Sequence, residues 1–226
     1  MTVPGITTTQ LDGALGVLPA SAGRPYAVVG TCSSGTAATP ATYARVTDLV
    51  AAAGQGPAVE DAAYHIQRTG RPVMFVKAAT ATDGGYGTPV DGITGTSDVT
   101  VDTDVEPHDM YDFIFDVVTG GTIGVAGITY RYSLDGGENW SATTALGTAN
   151  ALTMTPGNIG LDFGAGTLIA GDRLSVRTTA PAFDSTTLLA ALTALGQSAL
   201  PWEIVHVSGA VSATLAGVIE TWMLGL

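Results

Sequence analysis

One cysteine, three histidines and a few paired carboxylates are the side chains from which this chain would have to build any chemistry. Cys32 sits in Gly30-Thr31-Cys32-Ser33-Ser34-Gly35-Thr36, directly behind the apolar run Tyr26-Ala27-Val28-Val29. The glycine spacing is that of a loop that cradles phosphates, but Thr36-Ala37 stands where a lysine and a hydroxyl should follow. Without the lysine there is no point charge for a β- or γ-phosphate, so the segment reads as a strand-to-helix connection. As a nucleophile Cys32 would need a base, His65 or His206. His65 falls in a helical pattern and His206 inside an apolar strand, which are positions of packed histidines. There is no Gly-x-Ser-x-Gly elbow, and no cationic neighbour flanks Cys32 to lower its pKa. No catalytic residue and no cofactor-binding residue is assigned, and the chain is read as no enzyme.

The pairs Asp102/Asp104, Asp112/Asp116 and Glu60/Asp61 raise glycosidase and calcium chemistry. An EF-hand loop needs oxygen ligands at fixed positions and a closing glutamate, a pattern none of the pairs fits. Asp112 and Asp116 alternate with Phe113 and Phe115, as the wet face of a strand does. A single cysteine rules out an internal disulfide framework and a cysteine-based zinc site, so no metal residue is assigned.

The sharpest local motif is Ser133-Leu134-Asp135-Gly136-Gly137-Glu138-Asn139-Trp140. It fits the Ser-x-Asp-x-Gly-x-x-Trp pattern of the Asp-box and resembles the structural hairpins of sialidase-like propellers, where the box lies away from the catalytic site. The local physics explains the pattern. Asp135 can accept N–H bonds across the turn, the glycines take positive φ, and Trp140 packs back on the hairpin. A propeller repeats the box at regular intervals, and here it occurs once. Ser133, Asp135, Gly137 and Trp140 are therefore read as a structural hairpin and not as a sialidase site.

The elements around these residues fall into three regimes. Residues 1–23 form a Thr- and Gly-rich arm of weak periodicity that cannot bury much of itself. Residues 24–87 alternate strand and helix. Tyr26 to Val29 is a buried strand closed by Gly30, and Thr39-Pro40 reads as a cap with a first-turn proline. Val46, Leu49, Val50 and Ala53 then recur at helical spacing before Gly54. A second helix follows Pro57 with Val59, Ala62, Ala63 and Ile66 on one face and Gly70 at its end, and Val73 to Val76 is the next strand. The grammar returns over 182–226. Asp184 or Ser185 caps a helix striped by Leu188, Leu192 and Leu195, Trp202 to Val207 is a strand, and a last helix carries Leu215, Ile219 and Trp222. These flanks predict a layered α/β core with a mostly parallel sheet.

Residues 88–181 have period two instead: Phe113, Phe115 and Val117; Ile128, Tyr130 and Tyr132; Leu174 and Val176. Gly- and Asp-rich turns separate these runs, which predicts an all-β, sandwich-like insertion. From Asp98 to Arg177 there are 11 acidic and 3 basic residues, a net of −8, so the insertion is expected to face outward. The chain stops at Leu226, just past an amphipathic helix that a further strand should complete, and the natural protein is expected to continue.

Composition narrows the function classes. The net charge is −12 and no basic stripe is present, which argues against direct nucleic-acid binding. No apolar run reaches membrane-spanning length, and Met1-Thr2-Val3-Pro4-Gly5 has neither charge nor apolar h-region, so no membrane insertion or secretion is expected. Only 12% of residues are charged while 46% are hydrophobic, which suits a protein that covers its surface with copies of itself.

In this setting the chain resembles the contractile tail sheath proteins of phages and related injection machines. Val3-Pro4-Gly5-Ile6 is similar to that family's N-terminal Pro-Gly arm. Tyr26 to Thr31 with Ser34-Gly35 and Pro40 is similar to its first strand and following loop, and Gly56-Pro57, Ala62, Gly70 and Val73 to Lys77 to its next helix and strand. The segment from Asp184 to Trp222 is similar to the family's return to its core after an inserted domain. The resemblance implies a structural virion protein without cofactors, assembled in the host cytoplasm and resident in the virion tail. It implies a helical homo-oligomer around a tail tube protein, with baseplate and tail terminator proteins at its ends, contracting to drive the tube through an envelope. Val3, Pro4, Gly5 and Ile6 would belong to an arm, from Thr2 to about Gly16, that adds a strand to a neighbouring subunit. The alternative is a surface decoration or a receptor- or carbohydrate-binding module, in which Tyr132 and Trp140 of the insertion stack on sugars.

Overall fold

The structure is a computed structural model that describes residues 26–200 and 202–225. Val3, Pro4, Gly5 and Ile6, and with them the arm, lie outside the described residues. The chain mixes helices with several separate sheets.

The first sheet is assembled from both ends of the described chain. It contains β1 (Tyr26–Gly30), β2 (Ala41–Tyr43), β3 (Val73–Lys77) and, from far along the sequence, β15 (Ile204–Ser208), in the order β15-β1-β3-β2. β1 runs parallel to both β3 and β15, whereas β2 is antiparallel to β3. The central strands β1 and β3 are buried on both faces, as their unbroken apolar runs require.

Four helices cover this sheet: α1 (Val46–Ala53), α2 (Pro57–Thr69), α3 (Ser185–Gly196) and α4 (Ala213–Leu224). Leu49, Ala58, Val59, Ala62 and Ile66 of α1 and α2 pack with Val28, Val73 and Phe75 in one apolar cluster. Leu188, Leu192 and Leu195 of α3 and Leu215 of α4 pack with Ala27, Val29, Met74 and Val76 in another. Successive residues of β1 and β3 thus point to opposite clusters, which is the pleat at work. The helix ends follow local chemistry. Pro57 opens α2, Gly70 ends it in the left-handed region at φ 66°, and Asp184 caps α3 in a reciprocal pair with Thr187.

Thr39-Pro40 does not start a helix, which corrects the sequence reading. Pro40 leads into β2, and α1 begins only at Val46 behind an extended Arg45. An edge strand tolerates a preceding proline, and Tyr43 is held there edge-to-face on Phe75 at 6.4 Å.

Between β3 and α3 the chain is built from strands. They are β4 (Gly85–Tyr86), β5 (Val90–Gly92), β6 (Val99–Val101), β7 (Asp112–Thr119), β8 (Gly121–Thr122), β9 (Thr129–Ser133) and β10 (Thr144–Ala145). They continue with β11 (Ala151–Met154), β12 (Ile159–Phe163), β13 (Thr167–Leu168) and β14 (Arg173–Thr179). The main sheet has the order β10-β9-β7-β14-β4, and β5 also pairs with β14. A three-stranded sheet, β11-β12-β6, contributes Val99, Met154, Ile159, Leu161 and Phe163 to the cluster that holds Phe113, Phe115, Val117, Tyr130, Leu174 and Val176. The alternation along β7, β9 and β14 supplies one apolar face for that cluster. Among the described residues, no helix is long and apolar enough to cross a membrane.

Candidate functional site

The turn between β9 and β10 is organised by two side chains. Ser133 is buried, and its Oγ accepts the Gly137 N–H at 2.8 Å while donating to Asp135 Oδ1 at 2.7 Å. The Asp135 carboxylate accepts the Asn139 N–H at 2.9 Å and the Asn139 side-chain amide at 2.7 Å. The Asn139 N–H, followed by the Ser133 hydroxyl and the Asn139 amide, holds the Asp135 carboxyl down at about 2. Gly136 and Gly137 have φ of 71° and 101°, where a Cβ would be strained.

Trp140 leaves this turn to lie under cations. The Arg131 guanidinium sits 4.3 Å from its ring centroid and that of Arg173 sits 5.6 Å away. Both arginines share Asp116, Arg131 Nε donating at 2.7 Å and Arg173 Nε at 2.6 Å. The strand register explains the cluster, because Asp116 stands directly opposite Arg131 on β9 and Arg173 on β14. Asp112 of β7 similarly faces Arg177 of β14, with Nε–Oδ1 at 2.7 Å. Asp116 is 4% exposed and so does not lie on a wet face, because the stacked arginines cover it. Burial alone would raise its pKa. The two guanidinium groups outweigh burial and hold the carboxyl below its ordinary value. Trp140 is half-buried, and the Arg131 guanidinium over its ring leaves less of it for stacking on a sugar.

In the loop after β1 the Cys32 thiol is held by its surroundings. Cys32 is 2% exposed, its thiol donates to the Ser34 carbonyl, and burial pushes its pKa up more than nearby Lys77 lowers it. Ser33 and Gln55 exchange hydrogen bonds, tying the loop to the α1–α2 connection. His65 is stacked on Tyr26 at 4.2 Å, and His206 Nε2 lies 3.0 Å from Asp61 Oδ2, so each histidine is engaged away from Cys32. Asp102 accepts the Asp104 N–H in a local turn.

Asp172 is a buried structural carboxylate that sequence reasoning passed over. It is 1% exposed and accepts from the Thr94 N–H and hydroxyl, the Gly95 N–H and the Ile169 N–H, so it fastens two loops of the insertion. These bonds outweigh burial and hold its pKa down. The available signal was Gly171-Asp172 behind an apolar pair, a turn carboxylate with backbone donors in reach.

The four-stranded sheet ends at β15, and no strand pairs with its outer side among the described residues. Ile204 of β15 is 40% exposed, and α4, which packs on α3, buries only Leu215 while leaving Met223 and Leu224 in solvent. Exposed apolar side chains and an open sheet edge are both features of contact surfaces.

No family model and no curated protein matches the chain. Among solved structures it is similar to a sheath tail protein from Listeria innocua, at 11% identity and a TM-score of 0.35, over 88% of this chain and 44% of that one. It is also similar to a sheath tail protein from Desulfitobacterium hafniense, at 11% identity and a TM-score of 0.42, over 98% of this chain and 48% of that one. The chain spans less than half the length of either.

Proposed function

We propose that this chain is a subunit, or part of a subunit, of a contractile tail sheath, a structural virion protein that polymerises around a tail tube and contracts to drive it through the host envelope. The observation that carries the proposal is the open outer edge of β15, together with the exposed apolar side chains that α4 carries at its end. An open sheet edge can accept a strand from elsewhere, joined to it by backbone hydrogen bonds. In the proposed assembly that strand is the arm around Val3, Pro4, Gly5 and Ile6 of a neighbouring copy. The α/β core split by a strand-built insertion supports the same reading. The acidic insertion would face outward, and the work would come from subunit packing without nucleotide hydrolysis, in keeping with a loop that lacks a phosphate-binding lysine. The tail tube, baseplate and tail terminator proteins would be its partners. A binding module carried by the insertion is the weaker reading, because Trp140 already carries Arg131.

The test is electron microscopy of the natural source combined with intact mass of the same fraction. The protein is expected in tail-like tubes. Recovery only in a soluble, tube-free fraction at 22.7 kDa would overturn the proposal.

A further inference from the structure

Charge is spread unevenly along this acidic chain. From Ser185 to Leu226 there is no basic residue and only Glu203 and Glu220 are acidic, so 18 of the 20 acidic residues and all 8 basic ones precede Ser185. The helices of this late segment, α3 and α4, pack on each other. Their inner side chains Leu188, Leu192, Leu195 and Leu215 join the cluster under the sheet. On the outer side, Leu189, Ala190, Thr193 and Gln197 of α3 and Val218 of α4 line an open groove of ≈ 540 Å³ with mainly apolar walls. No ionisable side chain lines it, and Leu189 is 44% exposed there.

Gly217 stands one residue before Val218, exposed in the interior of α4. A helix-interior glycine costs stability relative to other residues, so it calls for a reason in conformation or crowding. The chain itself supplies neither. The φ of Gly217 lies outside the left-handed region, and an added Cβ would meet nothing within 4 Å. The space that this glycine leaves is used by no described part of the fold.

We propose that this face is a contact between two copies of the chain, the α3–α4 groove of one copy meeting the same face of the other about a twofold axis, with Leu189 of each seated in the opposite groove. Charge selects the occupant. Two copies that each carry −12 repel, and the penalty is least where neither brings a charge to the contact. A basic partner would gain most on the acidic residues that precede Ser185, and an anionic bilayer finds no cation in this groove. The centres of protein contacts are poor in charge, as this face is. Its size sets the strength. Helices of 12 residues are about 18 Å long, and two of them side by side offer less than the ~800 Å² per partner of a standard interface, so pairing in the micromolar range is expected. The contact uses helix faces and not the edge of β15, so it goes beyond the assembly proposed above, and the two can fail separately.

The experiment is sedimentation of the full 226-residue chain from about 10 to about 300 μM, in about 0.05 and about 0.5 M NaCl. A monomer–dimer equilibrium is expected that tightens severalfold at the higher salt, where the like charges are screened. Thr193→Glu and Leu189→Gln, both at exposed helix positions, should each weaken the dimer about tenfold. Gly217→Gln should weaken it as much while leaving the urea midpoint unchanged or raised, because it fills open space and removes a helix-interior glycine. That pair of readouts separates a lost contact from a damaged fold. Val118→Gln, which changes an exposed apolar side chain of the insertion, should leave the dimer as it is. A chain still monomeric at the highest concentration would overturn the proposal and leave the groove to residues 1–25 or to a different protein. Pairing that weakens with salt, pairing untouched by Thr193→Glu and Gly217→Gln, or an equal loss in Val118→Gln would each overturn it too. Tail-like tubes formed by a chain whose pairing ignores these variants would sink this contact and leave the assembly reading standing.

Discussion

The two halves of this molecule hold themselves together by different means. The four-stranded sheet and its helices rely on apolar layers, with Thr31 and Ser208 as their only buried polar side chains among the described residues. The strand-built insertion also has an apolar cluster, but it buries Ser97, Asp109, Asp116, Ser133, Asp172 and Thr178 as well. The difference follows from architecture. Helices satisfy their own backbone, so the core's interior can be oily. The insertion is made of many short strands joined by turns, and Asp172, Ser133 and Thr178 supply acceptors and donors to the backbone of those joins. Exposure differs too. Six of the twelve exposed large apolar side chains described lie between Leu189 and Leu224, so the core's late segment is the part left open. The insertion is thus expected to be self-sufficient and the core to want a neighbour.

The largest effect tests that contrast outright. Residues 82–182, excised at the Thr82–Ala182 bridge, are expected to give a folded, monomeric protein with dispersed amide signals. The remaining core, its ends joined by a short linker, is expected to self-associate. A molten excised fragment would break the comparison.

Next in size is Phe115→Ala. Phe115 is fully buried against Tyr130 and Phe163, at ring separations of 5.4 and 5.5 Å, and its loss should destabilise the insertion by about 4 kcal/mol. Chemical denaturation followed by helix and aromatic signals should show an early transition in the insertion, with the helical core unfolding near its original midpoint. A single shifted transition would show that the two regions unfold as one.

The change of element type along the chain is legible in the sequence, for a physical reason. A switch from period 3.6 to period two is written residue by residue, so the strands and helices around Val46, Ile66, Phe113 and Leu192 follow from pattern alone. β2 was missed because three residues after a proline carry no periodicity, and only pairing with β3 makes them a strand. The burial of Asp116 was missed because it depends on register, which brings Arg131 and Arg173 from strands 15 and 57 residues away. Asp109 gave no local signal at all. Its environment is made where α2, β14 and the segment before β7 meet.

Acid should separate the carboxylates by sign. Asp116 and Asp172 have folded pKa values below their ordinary ones, so their stabilisation is present above the usual carboxylate range and is lost as pH falls through it. Asp109 runs the other way. Its folded pKa is raised from 3.8 to about 6, so its penalty at neutral pH is relieved between pH 7 and 4, by on the order of 2 kcal/mol. Stability of the insertion measured by urea denaturation should therefore rise from pH 7 to about 5 and fall below pH 4. Asp109→Asn should remove the rise, and Asp116→Asn should lower stability at pH 7 by about 2 kcal/mol while flattening the acid loss. A monotonic fall from pH 7 in the unmodified chain would contradict the placement of Asp109.

The smallest effect is the most telling for the open edge. Met223 and Leu224 are 58% and 83% exposed at the end of α4, and glutamine matches their helix propensity while removing their apolar surface. Met223→Gln with Leu224→Gln should change the unfolding free energy of the dispersed chain by less than about 0.5 kcal/mol. The same pair should weaken self-association, read by sedimentation, if the edge of β15 and the face of α4 meet another copy. The contrast between the two readouts carries the information. A stability loss would mean that these side chains already pack within the chain. Unchanged stability with unchanged association would leave the α4 end outside the contact and confine the join to the backbone edge of β15. Unchanged stability with lost association would mean that the exposed apolar end of the core is kept for assembly and contributes nothing to the fold that presents it.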